Sequence, residues 1–204
     1  MNQIMSNIKS RRSKRYFLEQ NIPDEIIKEI IEAGCYAPSA LNKQPWKFIV
    51  ITNKDSIKRL SCIVKDITAK IAKCLTVLKL FKPAFRDPQV VAALRKTISS
   101  DTDTVFHNAP LLILIASDEK EPYANKGCAL ASQNMMLYAN SIGISSCYIE
   151  RAEILKMSKT AKEIIGLPPH HMIQSAIVFG YAPKSEANSI IPERRQDNII
   201  NWVR

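Results

Sequence analysis

The sequence predicts an α+β fold in which helices pack on a central sheet. Segments rich in β-forming residues are few, and longer segments with helical periodicity lie between them. Their order is not the regular alternation of strand and helix that builds a doubly wound parallel sheet. No P-loop motif occurs, and no two of the five glycines are two residues apart, as a G-x-G-x-x-G motif requires. A Rossmann nicotinamide domain and a P-loop domain are therefore both disfavoured.

The predicted elements follow one another irregularly along the chain. The predicted helices are 5–10, a helix from Asp24 to just before Pro38, one or two helices over 55–82, and then 89–99, 123–142 and 153–165. The predicted strands are 48–52, 111–116, 146–149 and 174–181. The strand at 111–116 is uniformly apolar, which is typical of a strand whose sheet is covered on both faces.

Breaking and capping residues set the limits of these helices. The helix that begins at Asp24 has acidic residues in its first turn and a stripe of isoleucines at i, i+4 spacing. It ends before Pro38, since the residue preceding a proline avoids the helical conformation. Pro83 and Pro88 interrupt the next helical stretch. Gly143 follows the long helix at the position that a left-handed glycine commonly occupies.

Length and composition indicate a single domain over residues 1–204 with an ordinary hydrophobic core. No apolar run approaches the roughly 18 residues that a membrane-spanning helix needs. The N-terminal segment 1–10 contains no apolar signal-peptide core. We therefore expect a soluble, cytoplasmic protein with no membrane partner.

Cysteine spacing and charge narrow the function classes further. The five cysteines are irregularly spaced and form no C-x-x-C pair, so we expect reduced thiols and no metal site. The net charge of +10 is compatible with nucleic-acid binding. Most lysines, however, are interleaved with apolar positions, as on solvated helix faces, so we expect no nucleic-acid partner. A basic surface would still steer anionic electron donors or substrates towards the protein.

Two polar segments are the strongest functional signals. Residues 11–17 concentrate guanidinium groups around a hydroxyl, which suits a phosphate. Residues 37–46 form a proline-bracketed loop with Ser, Asn and Gln side chains, which suits a planar ligand with hydrogen-bonding edges. Taken singly, each could be an ordinary feature: a solvated basic helix end, and a helix-to-strand loop whose Trp46 anchors the core. Together they predict a phosphorylated heteroaromatic cofactor.

The two segments resemble the nitroreductase family, whose members bind FMN. The family opens with an Arg-Arg-Ser-x-Arg-x-Phe-like segment and continues with Ala-Pro-Ser-x-x-Asn-x-Gln-Pro-Trp, as residues 11–17 and 37–46 do here. Further family landmarks follow in the same order as in the family. They are residues 103–110, 131–139 with 143–147, 165–168 and 177–181. The resemblance covers almost the whole chain and is weakest at residues 60–100.

The resemblance implies an α+β fold with a central, mostly antiparallel sheet flanked by helices, in an intertwined homodimer with FMN at the interface. Residues 60–106 would form a variable excursion at the rim of the pocket and set substrate preference. The residues implied to hold FMN are Arg11, Arg12, Ser13, Arg15, Pro38, Ser39, Ala40, Asn42, Gln44, Ile149, Glu150, Arg151, Arg194 and Arg195.

The implied roles of these residues differ. The phosphate and ribityl contacts would be Arg11, Ser13 and Arg15, completed by Arg194 or Arg195. The loop 38–44 would reach the flavin of the second subunit. Residues 145–151 would lie against the pyrimidine edge and N5 of the flavin, where backbone N–H groups can stabilise the reduced ring. Cys147 within that segment reads as a core residue.

The implied activity is that of an FMN-dependent oxidoreductase. NADH or NADPH would reduce the flavin, leave, and be replaced by a nitroaromatic, a quinone or a similar electron-poor acceptor. The protein would supply no catalytic side chain, because the flavin carries the reactivity. Three alternatives stay open: another flavin reaction of the same family (dehalogenation, enoate or azoline oxidation, flavin cleavage), a non-catalytic flavin carrier, and a basic nucleic-acid-binding protein. The features that would separate the flavin reactions lie within residues 60–106.

Overall fold

The fold is described from a computed structural model, which describes residues 2–186 together with Arg194 and Val203. In that part of the chain the α-helices are α1 (Gln3–Ser10), α2 (Asp24–Cys35), α3 (Lys54–Lys73), α4 (Leu75–Phe81), α5 (Pro88–Ser99), α6 (Ala124–Ser141) and α7 (Lys159–Ile165). The strands are β1 (Lys47–Ile51), β2 (Leu111–Asp118), β3 (Ser145–Tyr148) and β4 (His171–Gly180). Short 3-10 helices span Ala40–Asn42, Pro83–Arg86, Glu150–Met157 and Lys184–Glu186.

The strands form one sheet in the order β1-β2-β4-β3, and every neighbouring pair is antiparallel. The predicted α+β fold with an antiparallel sheet flanked by helices is thereby confirmed. A bulge between Ile115 and Ala116 shifts the register of β2 against β4. Beyond the bulge, β4 pairs from His171 onward, so the strand begins three residues before the predicted start at 174.

One helix prediction is wrong. Residues 153–165 do not form a single helix, because a 3-10 helix over Glu150–Met157 ends at Ser158 and α7 begins afresh at Lys159. Ser158 is extended, and its Oγ accepts a hydrogen bond from the N–H of Ala161 at 3.1 Å. This N-cap restarts the helix because it satisfies one of the free donors of the first turn.

Alternate side chains of β2 enter two cores, one on each face of the sheet. Leu112 and Leu114 pack with residues from α3, α7 and the 3-10 helix at Glu150–Met157. Leu111, Ile113 and Ile115 pack with residues from α2 and α6 and with Trp46. Each fully buried side chain of this size contributes roughly 1.5–3 kcal/mol. The strand β2 is apolar from Leu111 to Ala116, as a strand with both faces covered requires.

The chain between α1 and α2 runs along the free edge of β3. Ser13 pairs with Ser146 as an isolated parallel bridge, and the N–H of Lys14 donates to the carbonyl oxygen of Ser146 at 3.0 Å. Further on, the N–H of Leu18 donates to the carbonyl oxygen of Tyr181 at 2.8 Å. These contacts fix the basic segment 11–17 at one edge of the sheet.

The stretch 60–106 is mainly helical. It comprises most of α3, then α4, the 3-10 turn at Pro83–Arg86, and α5, which packs back against α3. Within the described residues, no helix combines the length and apolar character that crossing a bilayer requires.

Candidate functional site

The basic segment carries a buried donor that has no acceptor among the described residues. Arg11 is half-buried, and its Nη1 makes no hydrogen bond to any described residue. Burial lowers the pKa of Arg11, and repulsion from Arg12 and Arg194 lowers it further. Arg194 therefore lies within electrostatic reach of Arg11. The guanidinium remains charged at neutral pH, so this position favours an anion.

Arg12 is used differently from Arg11. Its Nη1 donates to the carbonyl oxygens of Lys9 at 2.6 Å and Arg11 at 2.7 Å, which ties down the end of α1. Its Nε is buried without a partner among the described residues, as is Oγ of the neighbouring Ser146 on β3. Several buried polar atoms at the edge of β3 therefore have no hydrogen-bond partner among the described residues.

A cavity of about 680 Å³ opens beside this edge. Its wall is formed by residues from 13–17, from the second half of α5 and the loop after it, and by Arg151 from the 3-10 helix at Glu150–Met157. The volume lies within the 300–1,000 Å³ range typical of small-molecule and cofactor sites.

Asp103 organises the loop that closes one side of the cavity. Its carboxylate accepts hydrogen bonds from the N–H groups of Val105 at 2.9 Å, Phe106 at 3.0 Å and Asn108 at 3.2 Å. It also accepts one from Oγ of Ser61 on α3 at 2.6 Å. Two following residues, at 107 and 108, have φ values of 59° and 51°, which is uncommon outside glycine and needs local support. The carboxylate provides that support and is saturated by donors.

His107 faces the same cavity. Burial is the main cause that lowers its pKa, to about 4, and the positive charges of Arg15, Arg151 and Lys96 lower it too, against an opposing effect of Asp103. The imidazole is therefore neutral at physiological pH. It contributes hydrogen-bonding capacity to the cavity but no charge.

Arg151 reaches across to α5. Its Nη1 donates to Oγ1 of Thr97, a buried hydroxyl that itself donates to the carbonyl oxygen of Ala93 at 3.0 Å. Burial lowers the pKa of Arg151. Two neighbouring residues do not line the cavity. Ile149 is buried in the core and its N–H donates to the carbonyl oxygen of Ala176, and Glu150 is exposed. The N–H of Ile149 is thus unavailable to a ligand.

Cys147 lies under the basic segment. It is 2% exposed and belongs to the core, as the sequence predicts. Burial raises the pKa of its thiol. The charge of Arg15, a hydrogen bond from Ser13 and the charge of Arg11 each oppose that rise. The thiol is protonated at neutral pH, and its electrostatic neighbours show that residues 11, 13 and 15 converge on the middle of β3.

The loop 38–44 lies elsewhere on the chain. Pro38, Ser39 and Ala40 line a separate cleft of about 300 Å³ against the start of α6. The loop is held by its own polar groups: the N–H of Gln44 donates to Oγ of Ser39 at 3.0 Å, and its Nε2 donates to Oδ1 of Asn42 at 3.3 Å. Leu41, Asn42 and Gln44 all have positive φ values, and the segment is largely exposed.

Comparison with known proteins decides the family. The model of the nitroreductase family matches residues 8–181 of this chain. The chain belongs to the nitroreductase family. The predicted membership is confirmed, and the match spans all the elements from β1 to β4 as well as the basic segment and the loop 38–44.

Other family members resemble the chain over most of its length. A relative from Archaeoglobus fulgidus, named provisionally as an NADH dehydrogenase/NAD(P)H nitroreductase, is 28% identical over 191 residues, covering 91% of this chain and 88% of its own. Nitrobenzene nitroreductase from Ectopseudomonas oleovorans is 27% identical over 199 residues, covering 87% and 86%. The solved structure of a Bacteroides fragilis nitroreductase with bound FMN has a TM-score of 0.78 at 25% identity and covers both chains completely.

Within this chain most of the predicted site residues fall into two places. One cavity holds Ser13, Arg15 and Arg151, with Arg11, Arg12 and Arg194 beside it. Of the loop 38–44, Pro38, Ser39 and Ala40 line the other cleft, and Arg195 lies outside the described residues. Which of these residues contact a cofactor stays a prediction.

Several cavity residues were not predicted as site residues. They are Lys96, Thr97, Asp103, Thr104, His107 and Asn108. Lys96 and Thr97 lie on α5, where family resemblance is weak, whereas the other four lie in the landmark segment 103–110. A usable signal was the Asp103 position, because an aspartate followed by several residues before a proline is typical of a side-chain-capped turn.

Proposed function

We propose that this chain is an FMN-dependent oxidoreductase that uses NADH or NADPH to reduce electron-poor acceptors such as nitroaromatics or quinones. The observation that carries the proposal is the half-buried Arg11, whose Nη1 has no partner among the described residues and which Arg12 and Arg194 repel. Burying an unpaired charge is unfavourable unless a ligand of opposite charge occupies the place. The family membership and the FMN-bound Bacteroides fragilis relative support FMN as that ligand.

The residues present fit FMN. A dianionic phosphate would meet Arg11, with Ser13 and Arg194 as further donors. The adjoining cavity of about 680 Å³ has room for an aromatic ring system. Among the described residues, the wall carries the carboxylate of Asp103 and three basic side chains, Arg15, Lys96 and Arg151. The balance of charge in the cavity therefore favours an anionic cofactor.

When bound, FMN would supply the redox chemistry by accepting a hydride from the nicotinamide and passing the electrons to an acceptor. The chain's own residues would bind and orient the cofactor and stabilise the charge that develops on it. Arg15 and Arg151 place fixed positive charge in the cavity, where negative charge developing on a bound ring is stabilised. Neutral His107, Thr97 and Asn108 provide hydrogen-bonding positions without an acid–base pair. Such a cavity tolerates varied acceptors.

We also propose that the active form is a homodimer in which the loop 38–44 of one subunit completes the cavity of the other. On a single chain Ser13 and Arg15 line one cavity, whereas Pro38, Ser39 and Ala40 of the loop line another. Apolar side chains around the loop are exposed, including Leu41 at 91%, Tyr36 at 79% and Tyr123 at 64%. Covering such a surface is the usual role of an obligate interface, which typically buries 2,000 Å² or more.

We place the protein in the cytoplasm. Cys35, Cys62 and Cys74 are exposed free thiols, and thiols of this kind persist best in a reducing compartment.

The first experiment is a flavin titration followed by turnover. Protein freed of flavin should bind FMN, with a thermal shift that grows with ligand concentration, and should bind FAD much more weakly because an adenylate must fit at the phosphate position. Stopped-flow absorbance should show reduction by NADH or NADPH and reoxidation by nitrobenzene or a quinone.

Three outcomes would redirect the proposal. A colourless protein with no FMN-induced stabilisation but salt-sensitive nucleic-acid binding would favour a nucleic-acid-binding function. Bound FMN that dithionite reduces, but neither nicotinamide does, would point to another electron donor. Reduction without reoxidation by any acceptor would favour a flavin carrier.

A further inference from the structure

Two groups of basic side chains surround the candidate site. The first group is Arg11, Arg12 and Arg194, beside the edge of β3, and its members repel one another around Arg11. The second group is Lys96 on α5 and Arg151, both of which line the cavity. The two groups are defined by these residues throughout.

The groups are distinct in position and in the fields they produce. Among the described residues, no member of the first group lines the cavity, whereas both members of the second do. The charges of Lys96 and Arg151 lower the pKa of His107, whereas the members of the first group are not among the charges that shift it. Arg15 is assigned to neither group, because its charge lowers the pKa of His107 in the cavity and also that of Cys147 under the basic segment.

The described lining of the cavity carries more positive than negative charge, with Arg15, Lys96 and Arg151 against Asp103. Neither Lys96 nor Arg151 takes part in a salt bridge there. Arg151 donates to a neutral hydroxyl, that of Thr97. The carboxylate of Asp103, which shares the cavity wall, is occupied by Ser61 and three backbone N–H groups. The cavity therefore keeps an uncompensated positive charge apart from the predicted phosphate position.

FMN carries one phosphate, and the proposed function assigns it to Arg11, Ser13 and Arg194, none of which belongs to the second group. We propose that Lys96 and Arg151 form an anion subsite for the electron acceptor, which would then be an aromatic compound bearing a carboxylate or a similar acidic group. This inference rests on the proposed function, since it assigns the substrate class of the same cavity. Lys96 would act as the specificity-determining residue, because its ammonium is exposed in the cavity and carries no structural hydrogen bond among those described.

The test compares one cavity charge with its neighbour outside the cavity. Lys96→Gln removes a charge from the wall, and Arg95→Gln removes one from the next residue of α5, which is exposed and does not line the cavity. The probes are 4-nitrobenzoate and the neutral 4-nitrobenzamide. We expect the ratio of their kcat/KM values to fall about tenfold or more in Lys96→Gln, mainly through KM, and to stay unchanged in Arg95→Gln. Lys96→Arg should restore most of the ratio.

A binding measurement separates this inference from the proposed function. In calorimetry with the protein as purified, the Kd of benzoate should rise about tenfold in Lys96→Gln and stay unchanged in Arg95→Gln. If the wild type loaded with FMN reduces neither the nitro compounds nor a quinone, the proposed function is wrong. Equal benzoate affinities in wild type and Lys96→Gln overturn the subsite. If Lys96→Gln slows reduction by NADH or NADPH but leaves the acceptor ratio unchanged, the charge serves the phosphates of the donor and the acceptor subsite is overturned.

Discussion

Arg11 occupies a position that destabilises the free protein. Its guanidinium is partly removed from water, is repelled by Arg12 and Arg194, and leaves Nη1 without an acceptor among the described residues. Each of these effects raises the free energy of the folded chain in the absence of a ligand. A bound phosphate would reverse all three. Binding residues of this kind exchange stability of the empty protein for affinity towards the ligand.

Arg11→Ala should therefore separate affinity from stability. We expect FMN affinity to fall about tenfold to a hundredfold, because a charge-assisted hydrogen bond contributes about 1.5–3 kcal/mol. The free energy of unfolding of the flavin-free protein should stay the same or rise. Fluorescence titration with FMN and urea unfolding measure the two quantities. Lys9→Ala, which removes an exposed charge at the end of α1, is the control and should change neither. Unchanged FMN affinity in Arg11→Ala would refute the phosphate assignment.

His107 should make stability depend on pH. Its folded pKa of about 4 lies below the ordinary value of 6.5, so the unfolded chain binds the extra proton between these pH values. Stability should be full above about pH 7 and fall as the pH approaches 4, by on the order of 2–3 kcal/mol from this residue.

The pH prediction has a matched variant. His107→Asn keeps a side chain that tolerates the positive φ of 59° and removes the titrating group. Carboxylates titrate in both proteins, so the difference between their unfolding free energies isolates the histidine. That difference should change by on the order of 2–3 kcal/mol between pH 7 and pH 4. If the two stability curves are parallel, the pKa of His107 is the same in the folded and the unfolded chain, and the prediction is wrong.

At the scale of single elements, local signals predicted most of the secondary structure. Helices such as α2 and α6 have strong periodicity or clear terminal signals, and Gly143, with φ of 80°, follows α6 as expected. The break at Ser158 was missed because a serine inside an apolar-periodic stretch reads equally as an exposed helical residue. The early start of β4 was missed because it depends on the bulge in β2, a tertiary feature.

The cavity wall was less predictable than the sheet. Ser13, Arg15 and Arg151 share the cavity, and the sequence singled out all three as candidates. Lys96 and Thr97 are brought there only by the packing of α5 against α3, which no local pattern in a helical excursion encodes. Sequence motifs therefore predict the cavity residues of the basic segment and of Arg151 better than those that α5 contributes.

The loop after α5 should depend on one carboxylate. Asp103→Ala removes the acceptor of four hydrogen bonds and leaves the N–H groups of Val105, Phe106 and Asn108 without it. We expect a loss of roughly 2–4 kcal/mol in urea unfolding, because buried or partly buried donors left unpaired are costly. Asp101→Ala, an exposed acid two residues earlier, should change stability by less than about 0.5 kcal/mol. Equal effects of both substitutions would mean that the loop is held by its packing.

At the scale of the whole molecule, the separation of the two predicted binding segments is the main constraint on mechanism. The cavity beside β3 and the cleft at Pro38, Ser39 and Ala40 each contain only part of the proposed FMN site. A single chain supplies a cavity and the charges that we propose bind phosphate, but its loop 38–44 faces a different surface. A second copy related by two-fold symmetry would present the same loop to each cavity in turn.

Subunit complementation tests the shared site directly. Arg11→Ala damages the cavity side, and Ala40→Trp places a large group on the exposed loop, where it should block the partner's cavity without disturbing its own chain. We expect each variant alone to form a dimer in sedimentation that retains little FMN. Co-expressed with different tags and purified through both, the mixed dimer holds one site with both lesions and one with neither, so about one FMN per dimer should return at wild-type affinity. If the site lies within one chain, every site of the mixed dimer still carries one lesion and no flavin returns. Monomeric protein with normal FMN binding would refute both the dimer and the shared site.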